Sequence, residues 1–176
     1  MNMNMNRLII EKDYEGVSRL LDQGADLDVK SRVGRTPLQV AVCGGNNKIV
    51  KLLLERGANV NIILYHDRTI LHEAVIGDSK IEILKLLIEH GTNLEAQDWD
   101  GNTPLHVAVA VSSIQVKMLL EYGANANAKN EKGNTPLHLL VKCTFIYCHI
   151  VLQTFLAYGA DIYCRNLKGK TAIDVC

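Results

Sequence analysis

The 176-residue sequence predicts an all-α solenoid, in which helix-turn-helix units stack side by side and β-hairpin-like fingers project between them. Two short motifs recur along the chain with a common spacing, which is typical of stacked repeats. Hydrophobic residues form 48% of the chain whereas aromatic residues form only 5%. The core must therefore be built from Leu, Val, Ile and Ala, as in packed helices.

The first motif marks the start of each unit. Its copies read TPLQVA, TILHEA, TPLHVA, TPLHLL and a shorter TAIDV, and they begin at Thr36, Thr69, Thr103, Thr135 and Thr171. A threonine hydroxyl can cap the free amides of a helix, and a proline after it is already set for the first turn. Each copy therefore predicts the beginning of a first helix.

The second motif ends each unit with a glycine, which supplies the positive φ that stops a helix. These glycines are Gly24, Gly57, Gly91, Gly123 and Gly159. Each lies 12 positions before the next motif threonine, as from 24 to 36, whereas the helical part varies from 17 positions (106 to 123) to 21 (138 to 159). Fingers in a stack need equal length, while an outer turn can absorb insertions.

The two interleaved motifs resemble the ankyrin repeat over nearly the whole chain. The resemblance implies one domain, 1–176. Its repeats would lie at about 1–33, 34–66, 67–100, 101–132 and 133–168, with a partial repeat at 169–176.

The same resemblance assigns roles to single residues. It implies that His72, His106 and His138 join neighbouring repeats by hydrogen bonds. Asn61 and Asn127 match the finger asparagine that asparaginyl hydroxylases modify in some ankyrin proteins.

Two patterns resemble catalytic or metal-binding motifs only in part. His72-Glu73 begins like a zinc-protease HExxH motif, but the fifth position is Ile76. A run starting at Asp98 begins like a calcium loop, yet Val109 stands where the bidentate glutamate is needed. We therefore predict no enzyme activity, no metal and no cofactor.

Charge and cysteine content restrict the partners and the compartment. Nineteen basic residues balance nineteen acidic ones, so no long-range field favours nucleic acid or an anionic membrane. No apolar run is long enough for a signal peptide or a membrane span. The five cysteines form no CxxC pair, and Cys143, Cys148 and His149 are a weak metal signal, so we expect reduced thiols in the cytoplasm or nucleus.

The second finger differs from the others at its tip. It carries an apolar run from Ile62 to Tyr65, and the third finger carries Trp99, the only tryptophan. Aromatic clusters are typical interface anchors. We therefore predict that Ile63, Leu64, Tyr65 and Trp99 bind protein on the concave surface, the alternative being that the isoleucines only pack between fingers.

Two further features bear on the same surface. The exposed positions of the first helices carry an apolar stripe that suits a partner helix, unless these positions simply tolerate hydrophobic residues. The stripe comprises Val40, Cys43, Ile76, Val107 and Ala110, of which we predict Ile76 and Val107 to bind protein. The first and last fingers are basic, and they either bracket an acidic partner or are merely solvated.

The sequence also predicts the structure of the two chain ends. The Met-Asn alternation of residues 1–6 has no periodicity that a core could use, and it predicts a tail. After Thr171 there is room for about one helical turn, so we expect Phe155 and Leu156 to be only partly covered. The chain is then naturally brief, cut from a longer product, or covered there by a partner.

The function expected from these observations is a monomeric, non-catalytic protein-binding module that acts as a small inhibitor or adaptor. Its partner is another protein whose identity the sequence does not reveal. The chain is similar to inhibitors of NF-kappa-B transcription factors and to viral ankyrin proteins. Two alternatives stay open: a scaffold or fragment of a larger host-interaction protein, and a cyclin-dependent kinase inhibitor, whose repeats the string from Gly34 to Val40 resembles.

Overall fold

The structure, a computed structural model, describes residues 5–77, 80–140 and 148–175, without the side chain of Cys148. The expectations for Cys143, for the lengthened turn at 144–147 and for Cys176 lie outside these residues.

Helices of two lengths alternate along the described chain. The shorter first helices are α1 (Met5–Ile10), α3 (Pro37–Cys43), α5 (Ile70–Val75), α7 (Pro104–Ala108) and α9 (Pro136–Leu140). The longer second helices are α2 (Tyr14–Asp22), α4 (Asn47–Glu55), α6 (Ile81–Glu89), α8 (Ser113–Glu121) and α10 (Cys148–Ala157). A turn of 3-10 helix, Ile173–Val175, follows.

The helices form two layers around one core. First helices stack on first helices, as α3 on α5 and α5 on α7, and second helices stack on second helices, as α4 on α6. Leucines of both layers, such as Leu38, Leu71 and Leu87, are fully buried between them. The predicted all-α solenoid is confirmed, since a single antiparallel bridge, Ile63 to Thr69, is the β-structure in the described chain.

Both motifs act as predicted. Thr36, Thr69 and Thr103 each begin a capping box, in which the threonine N–H donates to the side chain three residues later; in the first box the Gln39 N–H also donates to the Thr36 hydroxyl. The five motif glycines have φ between +77° and +91°. The helices therefore begin and end where the sequence predicts.

Five fingers join the units, and each closes like a short hairpin. They are finger 1 (24–36), finger 2 (57–69), finger 3 (91–103), finger 4 (123–135) and finger 5 (159–171). In finger 3 the Asp98 N–H donates to the Asn102 carbonyl at 2.9 Å, and finger 4 repeats this bond at Asn130.

Two predictions about the chain ends are wrong in part, the first of them for residues 5 and 6, since residues 1–4 lie outside the described residues. Met5 and Asn6 lie in α1 and are buried, because the Met5 side chain joins the core beside Leu8. Phe155 is fully buried, because its side chain points into the same core, which Ala172 also joins. Leu156 does stay exposed.

Three histidines join consecutive repeats, as the resemblance implied. The Nδ1 atoms of His72, His106 and His138 each accept from the N–H of the motif threonine at 3.1 Å. The Nε2 atoms each donate to a carbonyl of the next finger at 3.0 Å, for example from His72 to Asn102. Because Nδ1 faces a donor, the imidazoles of His72 and His106 are held in their neutral form.

Burial lowers the pKa of His72 and His106 below the ordinary value of 6.5, although the hydrogen bonds to Asn102 and Asn134 oppose this shift. As the pH falls below 6.5, the unfolded chain therefore takes up protons before the folded chain does. The stability that depends on these neutral histidines is complete above pH 6.5 and decreases as the pH falls toward the lowered pKa.

We predict that His72→Gln with His106→Gln makes stability less dependent on pH. Glutamine preserves the cap, since Gln39 Oε1 already accepts from the Thr36 N–H at 2.8 Å in α3. Urea unfolding at several pH values between about 8 and 5.5 measures the slope of the unfolding free energy. The wild type should lose stability more steeply below about pH 6.5. Equal slopes for the two proteins would contradict the conclusion that burial lowers the pKa of these two histidines.

Candidate protein-binding surface

The tips of fingers 2 to 5 are joined by one repeated backbone bond. A tip N–H of each finger donates to a carbonyl of the finger before it: Trp99 to His66 at 3.0 Å, Glu131 to Asp100 at 3.1 Å, and Leu167 to Lys132 at 3.1 Å. These bonds hold neighbouring tips at a constant separation.

The bases of the same fingers are joined by side chains. Oδ1 of Asn61 accepts from the Asn93 N–H at 3.1 Å, Oε1 of Glu95 accepts from Asn125, and Oδ1 of Asn127 accepts from Asp161. With the histidine bonds, three kinds of hydrogen bond therefore join finger 2 to finger 3, finger 3 to finger 4, and finger 4 to finger 5.

Fingers 1 and 2 share none of these bonds, although both lie wholly within the described residues. Tyr65 occupies the tip position that donates in the later fingers, but its N–H and the opposing Val33 carbonyl make no hydrogen bond. A Cβ added at Gly34 would meet nothing within 4 Å, whereas one at the equivalent Gly101 would lie 2.6 Å from the Glu131 backbone nitrogen. Finger 1 is therefore separated from finger 2 by open space.

The tip of finger 2 has an unusual turn. Leu64 stands where Asp98 and Asn130 use their side chains to accept two backbone N–H groups of their own tips. His66 and Asp67 follow in the left-handed region, at φ 61° and 55°. Such values are unfavourable without glycine and are found where the surrounding structure enforces them.

The space between fingers 1 and 2 is a groove of about 480 Å³, which we call the finger groove. Four apolar residues of the two finger tips line it and form what we call the apolar wall: Val33 of finger 1 and Ile63, Leu64 and Tyr65 of finger 2. Ile63 and Tyr65 are 67% and 83% exposed, so this wall faces solvent.

The finger groove is also lined by polar residues. Lys30, Arg35 and Arg68 contribute three positive charges and Glu73 contributes one negative charge. Arg68 lies 3.7 Å from Glu73, whereas Lys30 and Arg35 form no ion pair with any described residue. Gln39 also lines the groove. The groove is therefore rich in hydrogen-bond donors.

The structure separates the four predicted finger residues into two groups. Ile63, Leu64 and Tyr65 line the finger groove together, but Trp99 lies beyond His66, in a neighbouring cavity that also contains Asp98 and Asp100. The Trp99 and His66 rings are stacked, with centroids 5.2 Å apart. Trp99 therefore lies beside the finger groove, in a cavity that shares His66 and Arg68 with it.

The predicted first-helix residues lie in neither cavity. Ile76 is 45% exposed at the end of α5, whereas Val107 is half-buried and packs against the core. Of the rest of the stripe, Val40 also packs against the core and Cys43 lines the finger groove.

The finger groove contains residues that the sequence did not single out as binding residues, namely Val33, Gln39 and Arg68. Two signals were visible, because Gln39 replaces the histidine of three other motif copies and Asp67 replaces the tip glycine. The two asparagines matched to hydroxylation are placed differently: Asn61 is exposed and Asn127 is half-buried.

The described residues contain no cluster of three or more His, Cys, Asp or Glu side chains that could hold a metal ion. Cys43 and Cys164 are free thiols, and burial, with a hydrogen bond to Asp161, raises the pKa of Cys164. None of the helices described is both long and apolar enough to cross a bilayer.

Comparison with known proteins identifies the same repeat. A family model described as ankyrin repeats (three copies) matches residues 6–98 and 79–166. A crystal structure of an ankyrin repeat domain from Acinetobacter baumannii superposes with a TM-score of 0.89 at 23% identity, covering 97% of this chain and 88% of that one.

Two curated relatives are similar over shorter stretches. The putative ankyrin repeat protein FPV244 of fowlpox virus (strain NVSL) is 48% identical over 61 residues, which are 35% of this chain and 9% of that protein. The mouse B-cell lymphoma 3 protein homolog is 46% identical over 61 residues, 34% of this chain and 14% of that protein. The chain thus spans a small part of the length of these relatives.

The open space beside finger 1 predicts unequal effects of two equivalent substitutions. Gly34→Ala should reduce the unfolding free energy by about 1–2 kcal/mol, the cost of a left-handed alanine. Gly101→Ala should reduce it by roughly 1–3 kcal/mol more, because the new methyl group overlaps finger 4. Urea unfolding of both variants measures the difference, and equal losses would show that finger 1 is as tightly packed as finger 3.

Proposed function

The chain belongs to the ankyrin-repeat family, whose repeats are generally protein-interaction modules, and we propose that it is a monomeric, non-catalytic inhibitor or adaptor. It binds a partner protein with its finger side, at and around the finger groove. The observation that carries this proposal is the groove itself, with its exposed apolar wall beside unpaired cations.

The exposed side chains of this surface support the proposal. Ile63 and Tyr65 expose most of their apolar area, as does Trp99 at 66%. Exposed hydrophobic residues next to polar groups are typical of protein interfaces, and Tyr, Trp and Arg are the residues that most often dominate binding energy. The finger side offers all three types close together.

An inhibitor or adaptor acts by occupying a surface, so it needs no reactive groups. The family and fold are typically non-enzymatic. The three histidines that could serve as bases are instead engaged through both ring nitrogens in the links between repeats. We place the protein in the cytoplasm or nucleus, where its thiols stay reduced.

A second candidate is a repeat segment of a larger host-interaction protein. It is favoured by the similarity to putative ankyrin repeat proteins of fowlpox virus. The matched stretch makes up only 9% of one of them, FPV244. In that case the same finger side binds the host protein, and another part of the molecule acts on it.

We predict that Tyr65→Ala with Trp99→Ala abolishes capture of specific partners. The matched control is Ile114→Ala with Tyr122→Ala, which removes exposed apolar side chains from α8 and the residue that follows it, in the outer layer. Proteins captured from cell extract are quantified by mass spectrometry for the wild type and both variants, after circular dichroism has shown equal folding. Selected partners are then purified and titrated directly.

Loss of binding of at least about tenfold in the finger variant alone supports the proposal, because central aromatic anchors typically contribute 1.4 kcal/mol or more. Equal binding by the finger variant and the wild type, or loss in the control alone, would contradict a finger-side interface.

A further inference from the structure

We propose that the finger groove binds an extended segment of the partner that carries a large apolar side chain flanked by carboxylates. This inference rests on the proposed function and adds the chemistry of the bound segment. It follows from the backbone groups, the charges and the shape of the space between fingers 1 and 2.

Fingers 1 and 2 lack the backbone bond that joins the later finger tips. At each later interface a tip N–H donates directly to a carbonyl of the preceding finger. At the first interface the equivalent donor, Tyr65 N–H, and the equivalent acceptor, Val33 C=O, make no hydrogen bond with each other, and both residues line the groove. An extended chain placed between them offers a carbonyl to Tyr65 and an N–H to Val33. Binding by addition of a strand is a common mode of peptide recognition.

The groove supplies further donors for the same segment. Gln39, which lines the groove, uses its Oε1 to cap α3, and its amide nitrogen makes no hydrogen bond with any described residue. Its counterpart in the other repeats is a histidine that donates to the next finger. A carbonyl or carboxylate oxygen of a bound segment satisfies this donor.

The charges select an acidic segment. Lys30 and Arg35 stand at the groove without an ionic partner among the described residues, and Arg68 is only loosely paired with Glu73 at 3.7 Å. Opposite charge across an interface accelerates association and excludes partners of the wrong sign. Carboxylates on both sides of the apolar residue of the bound segment would lie close to these positive charges.

The apolar wall selects the residue between the carboxylates. Val33, Ile63, Leu64 and Tyr65 give the groove a hydrophobic side, and its volume of about 480 Å³ lies within the range of ligand pockets, about 300–1,000 Å³. A large aliphatic or aromatic side chain of the segment fills this space and buries Tyr65, the most exposed member of the wall.

Finger 2 is also held in position before binding. The His66 carbonyl accepts from Trp99, and the His66 ring stacks on the Trp99 ring, so the tip is fixed against finger 3 and away from finger 1. The groove is therefore open without a conformational change. A site that is already formed loses less free energy to ordering when it binds.

The test is selection of random linear peptides displayed on phage against the full chain, followed by fluorescence polarisation with the enriched peptides. We expect enrichment of peptides in which Asp or Glu flanks a large apolar residue. Lys30→Glu with Arg35→Glu should weaken their binding by at least about tenfold, because it reverses both free charges. The matched control is Lys132→Glu with Lys168→Glu, which reverses two lysines of fingers 4 and 5 around another cavity and should leave binding within about twofold.

Several outcomes would overturn the inference. These are failure to enrich acidic-apolar peptides, equal weakening by both charge-reversed pairs, and unchanged binding to Lys30→Glu with Arg35→Glu. The proposed function is judged separately, by capture with the Tyr65 and Trp99 variant. If that variant loses a purified partner whose binding is insensitive to Lys30→Glu with Arg35→Glu, the finger side binds protein and the groove assignment alone is wrong.

Discussion

Fingers 2 to 5 are held at constant height by three kinds of hydrogen bond that recur between them: a tip backbone bond, a side-chain bond at the base, and a histidine bond from the first helix. Helix packing alone fixes the stack less specifically, because apolar contacts are not directional. The bonds convert a row of loops into a regular surface. What a partner can contact on the finger side is therefore decided by where these bonds are made and where they are missing.

Between the first two repeats, where these hydrogen bonds are missing, the helices still pack closely. α3 stacks on α5, and Arg56 lies 2.9 Å from Asp22, which joins the ends of α4 and α2 directly before the two fingers. An exposed ion pair contributes about 0–1 kcal/mol, so the buried helix layers provide most of the cohesion. Since the core holds the units together, the fingers above it can separate without splitting the stack.

Much of the fold follows from spacing. The constant interval between motif glycine and motif threonine predicts equal fingers, and the threonine and histidine positions predict the caps and the links between repeats. The surface was less predictable. Tyr65 and Trp99 occupy the same position in neighbouring fingers, so a regular tip turn favours one patch. Leu64 and Asp67 remove the usual side-chain acceptor and glycine, and the resulting turn places His66 against Trp99.

The same substitutions connect the sequence to a location for function. His66 and Asp67 adopt left-handed conformations that are unfavourable for residues other than glycine, by roughly 1–2 kcal/mol each. In this turn both the carbonyl and the ring of His66 contact Trp99 of finger 3, whereas the N–H of Tyr65, which lines the groove, makes no hydrogen bond with any described residue. Strained turns persist where neighbouring contacts enforce them, and they concentrate at binding sites. The departure of finger 2 from the repeat pattern therefore has one structural consequence, an open and donor-rich groove beside finger 1.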